Sequence, residues 1–213
     1  MALALSGCTN GIETGLSAPE GIPVTVFAEI SPVTKSGEAV SSDNSFDRTF
    51  FLSGDQIKVT RTKKASGTAA PQSASYRYDG TSAWTVVGTS PVTLEPAVTY
   101  SAQFPADYSD INQFQTTSAA YLASNLLKTG DATSSDGTLD FTSSGKPFTH
   151  VNSKLTLMFT VKRETSIAND AVTVAATGIR TAVSTNQTIT LYRPYPGDAS
   201  RKYEWCGILR AVG

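Results

Sequence analysis

Lys154-Leu155-Thr156-Leu157-Met158-Phe159-Thr160-Val161-Lys162 is the stretch that decides the fold class. Leu155, Leu157, Phe159 and Val161 fall on every second position, with Lys154, Thr156, Met158, Thr160 and Lys162 between them. A pleated strand points successive side chains to opposite faces. The stretch therefore predicts a strand with one face on a core and the other in water.

The same period recurs on both sides. Ile22, Val24, Val26, Ala28 and Ile30 share one face opposite Thr25 and Glu29, which predicts a strand over 22–30. Phe50-Phe51-Leu52 leads into a Ser53-Gly54-Asp55 turn, after which Ile57 and Val59 alternate with Gln56 and Lys58. Tyr76 and Tyr78 alternate up to Asp79-Gly80, a strong hairpin signal, and Trp84 and Val86 continue on the far side. Aromatic pairs across that hairpin should be its main stabiliser. Val98, Tyr100, Ala102 and Phe104 form a further strand that Pro105 ends, since proline cannot donate to a ladder. Weaker strands are expected at 171–175, 188–192 and 203–209. Residues 31–49 and 61–75 read as loops, and Ser118 to Leu127 as one helix capped by Ser118 and stopped by Gly130. Many short strands with no βαβ rhythm predict an all-β sandwich or barrel.

Composition narrows the function. Lys and Arg number 17 against 18 Asp and Glu, so the chain has no net positive charge to hold a nucleic acid. Charged residues are 16% of the chain, which suits strands joined by polar loops better than long charged helices. No apolar run after Cys8 is long enough to span a membrane.

At the amino terminus, Leu5-Ser6-Gly7-Cys8 has the order of residues that a lipoprotein signal peptidase recognises, which marks Cys8 for lipidation. Met1-Ala2-Leu3-Ala4 before it are fewer than the 7–15 apolar residues of a full export signal, so residues 1–8 read as a partial one. Residues 9–21 read as a tether. The acyl chains of a lipoprotein cysteine give a stable anchor, each buried methylene contributing about 0.8 kcal/mol. Thr9, rather than an acidic residue, follows Cys8 and favours the outer membrane. With Cys8 acylated, Cys206 is left without an intramolecular disulfide partner.

Catalytic chemistry has no visible seat. His150 is the single histidine, beside Phe148, and reads as structural. Neither a G-x-S-x-G elbow, an H-E-x-x-H helix, a C-x-x-C pair nor a phosphate loop occurs, so no enzyme, cofactor or metal is expected. Asp107 and Asp110, flanking Tyr108, are candidates for touching a sugar or calcium, though two loop carboxylates are few for a cation site. Trp84 and Trp205 are candidates for stacking on a ligand, weighed against the core positions that strand alternation gives Trp84.

Taken in order, the lipobox, the strand ending near Thr34-Lys35, FLSGDQIKV, YRYDGTSAW, VTYSAQFPADY, ASNLL and FTHVNSKLTLMF resemble the fimbrillin family of fimbrial subunits and fimbrillin-like lipoproteins of Bacteroides-type bacteria. The resemblance covers residues 22–162; its elements are individually common, and their order carries the weight. It implies tandem β-sandwiches of transthyretin- or immunoglobulin-like two-sheet architecture, export as a lipoprotein, display at the cell surface, and assembly with other fimbrial subunits by strand exchange. It also implies cleavage after a basic residue in the loop following the first strand, where Lys35 and Arg48 lie, Arg48 following Asp43-Asn44-Ser45 being slightly favoured. The expected domains are a sandwich over 22–165 and a second, short or truncated β domain over 166–213. That shortness puts polymerisation by this chain in question and leaves room for a tip, anchor or accessory role. Two functions follow: a non-enzymatic fimbrial structural or accessory subunit contributing to adhesion, or a lipid-anchored module binding a glycan or a host or bacterial surface ligand.

Overall fold

The computed structural model describes residues 21–31, 49–62, 70–160 and 171–211. Cys8, Lys35, Arg48, Val161 and Lys162 lie outside the described residues. The body is built on a six-stranded sheet of β2 (Gln56–Arg61), β3 (Gln72–Tyr78), β4 (Trp84–Val86), β5 (Tyr100–Phe104), β6 (Leu127–Lys128) and β8 (Thr149–His150). Their order across the sheet is β4-β3-β2-β5-β6-β8, antiparallel at each junction. In β2 the alternation does what its sequence requires: Ile57 and Val59 are fully buried, and Lys58 between them is exposed. Ile57 stands opposite Tyr76, and Val59 opposite both Ala74 and Ala102, so apolar side chains line up across three strands on one face.

A second layer covers that face. It is formed by β1 (Thr25–Ala28) and β7 (Thr138–Phe141), which pair in parallel with Val26 opposite Leu139 and Ala28 opposite Phe141. Val24, Val26, Ile30, Leu139, Phe141 and Phe148 join Ile57, Val59, Tyr76, Trp84, Tyr100 and Phe104 in one apolar cluster. The molecule is thus all-β, and this body is a two-layer sandwich. Phe51 sits where the layers meet: its ring centroid is 4.9 Å from Trp84, 5.4 Å from Phe104 and 5.3 Å from Phe148, each edge to face.

The hairpin expected at Asp79-Gly80 is present. Tyr78 stands opposite Trp84 with rings 4.9 Å apart, and Tyr76 opposite Val86. Its turn runs through Asp79 to Ala83, held by the Asp79 carboxylate, which accepts from the N–H groups of Thr81, Ser82 and Ala83. Gly80 takes φ 95°, and a Cβ there would lie 2.8 Å from Ser53 Cβ, so only glycine fits.

The carboxy-terminal part holds smaller elements. β9 (Ser153–Met158) pairs antiparallel with β12 (Glu204–Leu209), and β10 (Thr173–Thr177) with β11 (Asn186–Thr190). Ile111, Ile189, Leu191 and Trp205 form their core, with Leu157, Val174 and Leu209 packed against it. The amide of Gln115, fully buried, binds the backbone of Ile208 as a neighbouring strand would: Nε2 donates to the carbonyl at 2.8 Å, and Oε1 accepts from the N–H at 2.7 Å.

Four expectations are corrected. Residues 72–75 belong to β3 rather than to a loop, because their register against β2 supplies backbone bonds that the small side chains do not advertise. The helix is α1 (Ser118–Ala123), and its N-cap is Thr117, whose hydroxyl accepts from Ala120 N–H at 3.2 Å; Leu127 leaves it to join β6, where it pairs with Phe104 and His150. Ile22 is exposed, since the paired strand opens only at Thr25. Leu155 and Leu157 are half-buried and Phe159 is 47% exposed, so the opening stretch does not line a deep core. Leu155 faces Gly207, which offers no side chain, because a Cβ there would collide with Leu191 Cδ2. Apart from these, β9, before residue 165, pairs with β12, after it.

Candidate strand-exchange site

The amino-terminal strand is bound along one edge only over most of its length, among the described residues. Thr25 N–H donates to the Gly137 carbonyl at 2.8 Å and Glu29 N–H to that of Phe141 at 3.0 Å. Phe148 N–H donates to Glu29, and Ser31 N–H to Phe148, continuing the same edge in parallel. On the opposite edge only the first residues are held, by Val24 N–H to Val92 and Leu94 N–H to the Ile22 carbonyl. The edge from Val26 to Ile30 has no strand neighbour among the described residues.

The side chains tell a different story from the backbone. Val24, Val26 and Ile30 are buried against Leu139, Phe141 and Phe148, whereas Thr25, Phe27 and Glu29 face out. Full burial of such side chains contributes about 1.5–3 kcal/mol each. Lifting β1 away would therefore uncover an apolar trough and free the N–H and C=O row of β7, a template for another strand.

Polar bonds fix the far end of the trough. Asp140 accepts from Thr142 Oγ1 at 2.6 Å and N–H at 2.9 Å, and from Ser144 Oγ at 2.9 Å; these bonds, led by the Thr142 hydroxyl, hold its carboxyl below the ordinary range. Glu29 Oε2 accepts from Ser143 N–H at 3.1 Å, which ties the end of β1 to the same turn. Gly145 closes it, since a Cβ there would meet the Asp140 carbonyl.

No family model and no curated protein matches the chain. A fimbrial protein from Bacteroides ovatus has a similar structure. The two are 16% identical with a TM-score of 0.46, over 89% of this chain and 41% of that one. This chain spans about two fifths of that protein, and the functional argument rests on the geometry above.

The ligand candidates lie apart. Trp84 is 8% exposed in the main core, and Trp205 is 2% exposed in the carboxy-terminal core beneath Arg193, whose guanidinium carbon lies 5.3 Å from the ring. Neither presents a flat face to a sugar: Trp84 turns inward in β4, and β12 is buried on both faces around Trp205. Asp107 and Asp110 are exposed; Asp110 accepts from Ile111 N–H, and no group of three metal-ligating side chains exists among the described residues. His150 Nδ1 lies 3.0 Å from Asn125 Oδ1, inside a turn network. Cys206 is buried, its sulfur 3.8 Å from Glu204 Oε1. No helix among the described residues is long and apolar enough to cross a membrane.

Sequence reading missed the trough's other wall. Thr138-Leu139-Asp140-Phe141 carries a two-period signal over only four residues, and Phe148 follows beyond a tight turn. The alternation was there to be read, but not the pairing with a strand over a hundred residues earlier.

Proposed function

We propose that this chain is a fimbrillin-type surface subunit, structural or accessory, that joins other subunits by exchanging β1. The observation that carries the reading is the mismatch in the segment around β1: Val24, Val26 and Ile30 are buried in the core, yet the backbone from Thr25 to Ser31 is held along one edge. Such a strand seals a core yet can be replaced by any strand of like pattern. Cleavage after Lys35 or Arg48, which follow β1 in sequence, would release it, and the order of motifs supports this step. Lipidation at Cys8 would hold the uncleaved protein at the outer membrane, with adhesion as the outcome of assembly. The role is one of shape and strand pairing, without turnover.

The test is mild trypsin treatment of the folded protein, with mass spectrometry of the fragments and light scattering of the product. A cut after Lys35 or Arg48, followed by dissociation of the β1 fragment and growth of oligomers, is expected. A K35A/R48A double variant should stay intact and monomeric. A cut protein that keeps β1 and remains monomeric would overturn the proposal.

A further inference from the structure

Besides the trough, the outer face of the six-stranded sheet has a segregated chemistry. Its outward side chains are Gln56, Lys58 and Thr60 of β2, Ser73, Ser75 and Arg77 of β3, Thr85 of β4, Ser101 and Gln103 of β5, and Lys128 of β6. Three are cations and none is a carboxylate, in a chain with more acids than bases. Lys58, Arg77 and Lys128 are exposed and form no ion pair among the described residues.

Register sets their spacing. Lys58 stands opposite Gln103, and Gln103 opposite Lys128, so the two lysines share a cross-strand row two strands apart, about 10 Å. On the other side Lys58 faces Ser75, and Arg77 lies two residues further along β3, about 8 Å away on the diagonal. Beside Lys58 a shallow recess of about 360 Å³ is lined by Ser73, Ser75, Val87, Thr89 and Ser90. It combines hydroxyl donors and acceptors, one short apolar wall and one ammonium group. Asp55 and Asp107 line a second recess toward the turn end of the sheet, which shares Ser75 with the first.

We infer that this face binds an acidic polysaccharide, a linear glycan with a carboxylate on alternate sugars. A sugar ring fits the hydroxyl-lined recess with its carboxylate on Lys58, and the chain runs along the row to Lys128. The inference stands independently of strand exchange, since the face points away from β1 and β7. Charge complementarity selects the ligand, and surface electrostatics of this kind weakens with salt.

The experiment uses the intact chain on immobilised hyaluronan and unsulfated chondroitin, with neutral dextran and duplex DNA alongside. Binding to the acidic glycans alone, weakened at least tenfold by K58E/K128E and by 0.5 M salt, is the expected result. K202E, a charge reversal outside this sheet, should bind as the parent does. Because Lys58 and Lys128 are exposed, both variants should keep the parent's melting curve. Equal binding to dextran, binding to DNA at least as tight, no binding to any polymer, or indifference to K58E/K128E would each overturn the inference.

Discussion

The carboxylate of Asp79 accepts three backbone N–H bonds and one from the Thr81 hydroxyl, and the Thr81 N–H bond does most to hold its pKa down at about 2. An acid whose folded pKa is depressed adds stability above its ordinary value of 3.8, and that stability disappears as pH falls toward 2. Asp136, Asp140 and Asp198 shift the same way through bonds to neighbouring hydroxyls and amides. Melting temperature should therefore drop between pH 4 and 2, and D79A should melt lower than the parent at pH 6 but converge with it near pH 2. At Gln115 the chemistry is neutral and the side chain fully buried: Q115L leaves the N–H and C=O of Ile208 unpaired, which should cost about 2–4 kcal/mol in urea unfolding. Gly207→Ala must displace the buried Leu191 and should cost about 1–3 kcal/mol in the same assay.

Among elements, the strands differ in how many sides they are held from. β2 lies between β3 and β5, whereas β1 is paired continuously with β7 alone. Amides of Thr25 and Glu29 should thus exchange with deuterium faster than those of Val59 and Arg61, by hydrogen-exchange mass spectrometry. Which elements could be read beforehand follows from the same distinction. β2, the β3–β4 hairpin and β5 carry large apolar residues at alternate positions and a turn signal between them, so local sequence specified them. β6 and β8 are two residues long and exist only because neighbours pair with them. Leu126 and Leu127 extended an apparent helical pattern, and the pairing with Phe104 and His150 draws Leu127 into the sheet. Ser73 and Ser75 gave no contrast to reveal β3's start. The exchange site was half legible: β1 announced its inward face, while its parallel partner is a matter of tertiary placement.

Across the whole molecule the apolar interior is uneven. Among the described residues the main core gathers seventeen buried side chains, and the carboxy-terminal one gathers four, Trp205 included. Because burial scales with the apolar area removed from water, the smaller core should open first. Trp84 lies in one and Trp205 in the other, so W84F and W205F each leave a single tryptophan to excite selectively. The midpoint seen by Trp205 in urea should fall below that seen by Trp84, and coincident midpoints would show that both parts unfold together. Pairing between Thr25 and Thr138 has a further meaning for a chain made from its amino end. The segment synthesised first must wait until Phe148 has emerged before it finds its seat, because every partner that grips it beyond Val24 is translated later. During that interval a nascent molecule displays the unseated segment itself, which a neighbour with an open groove could capture first.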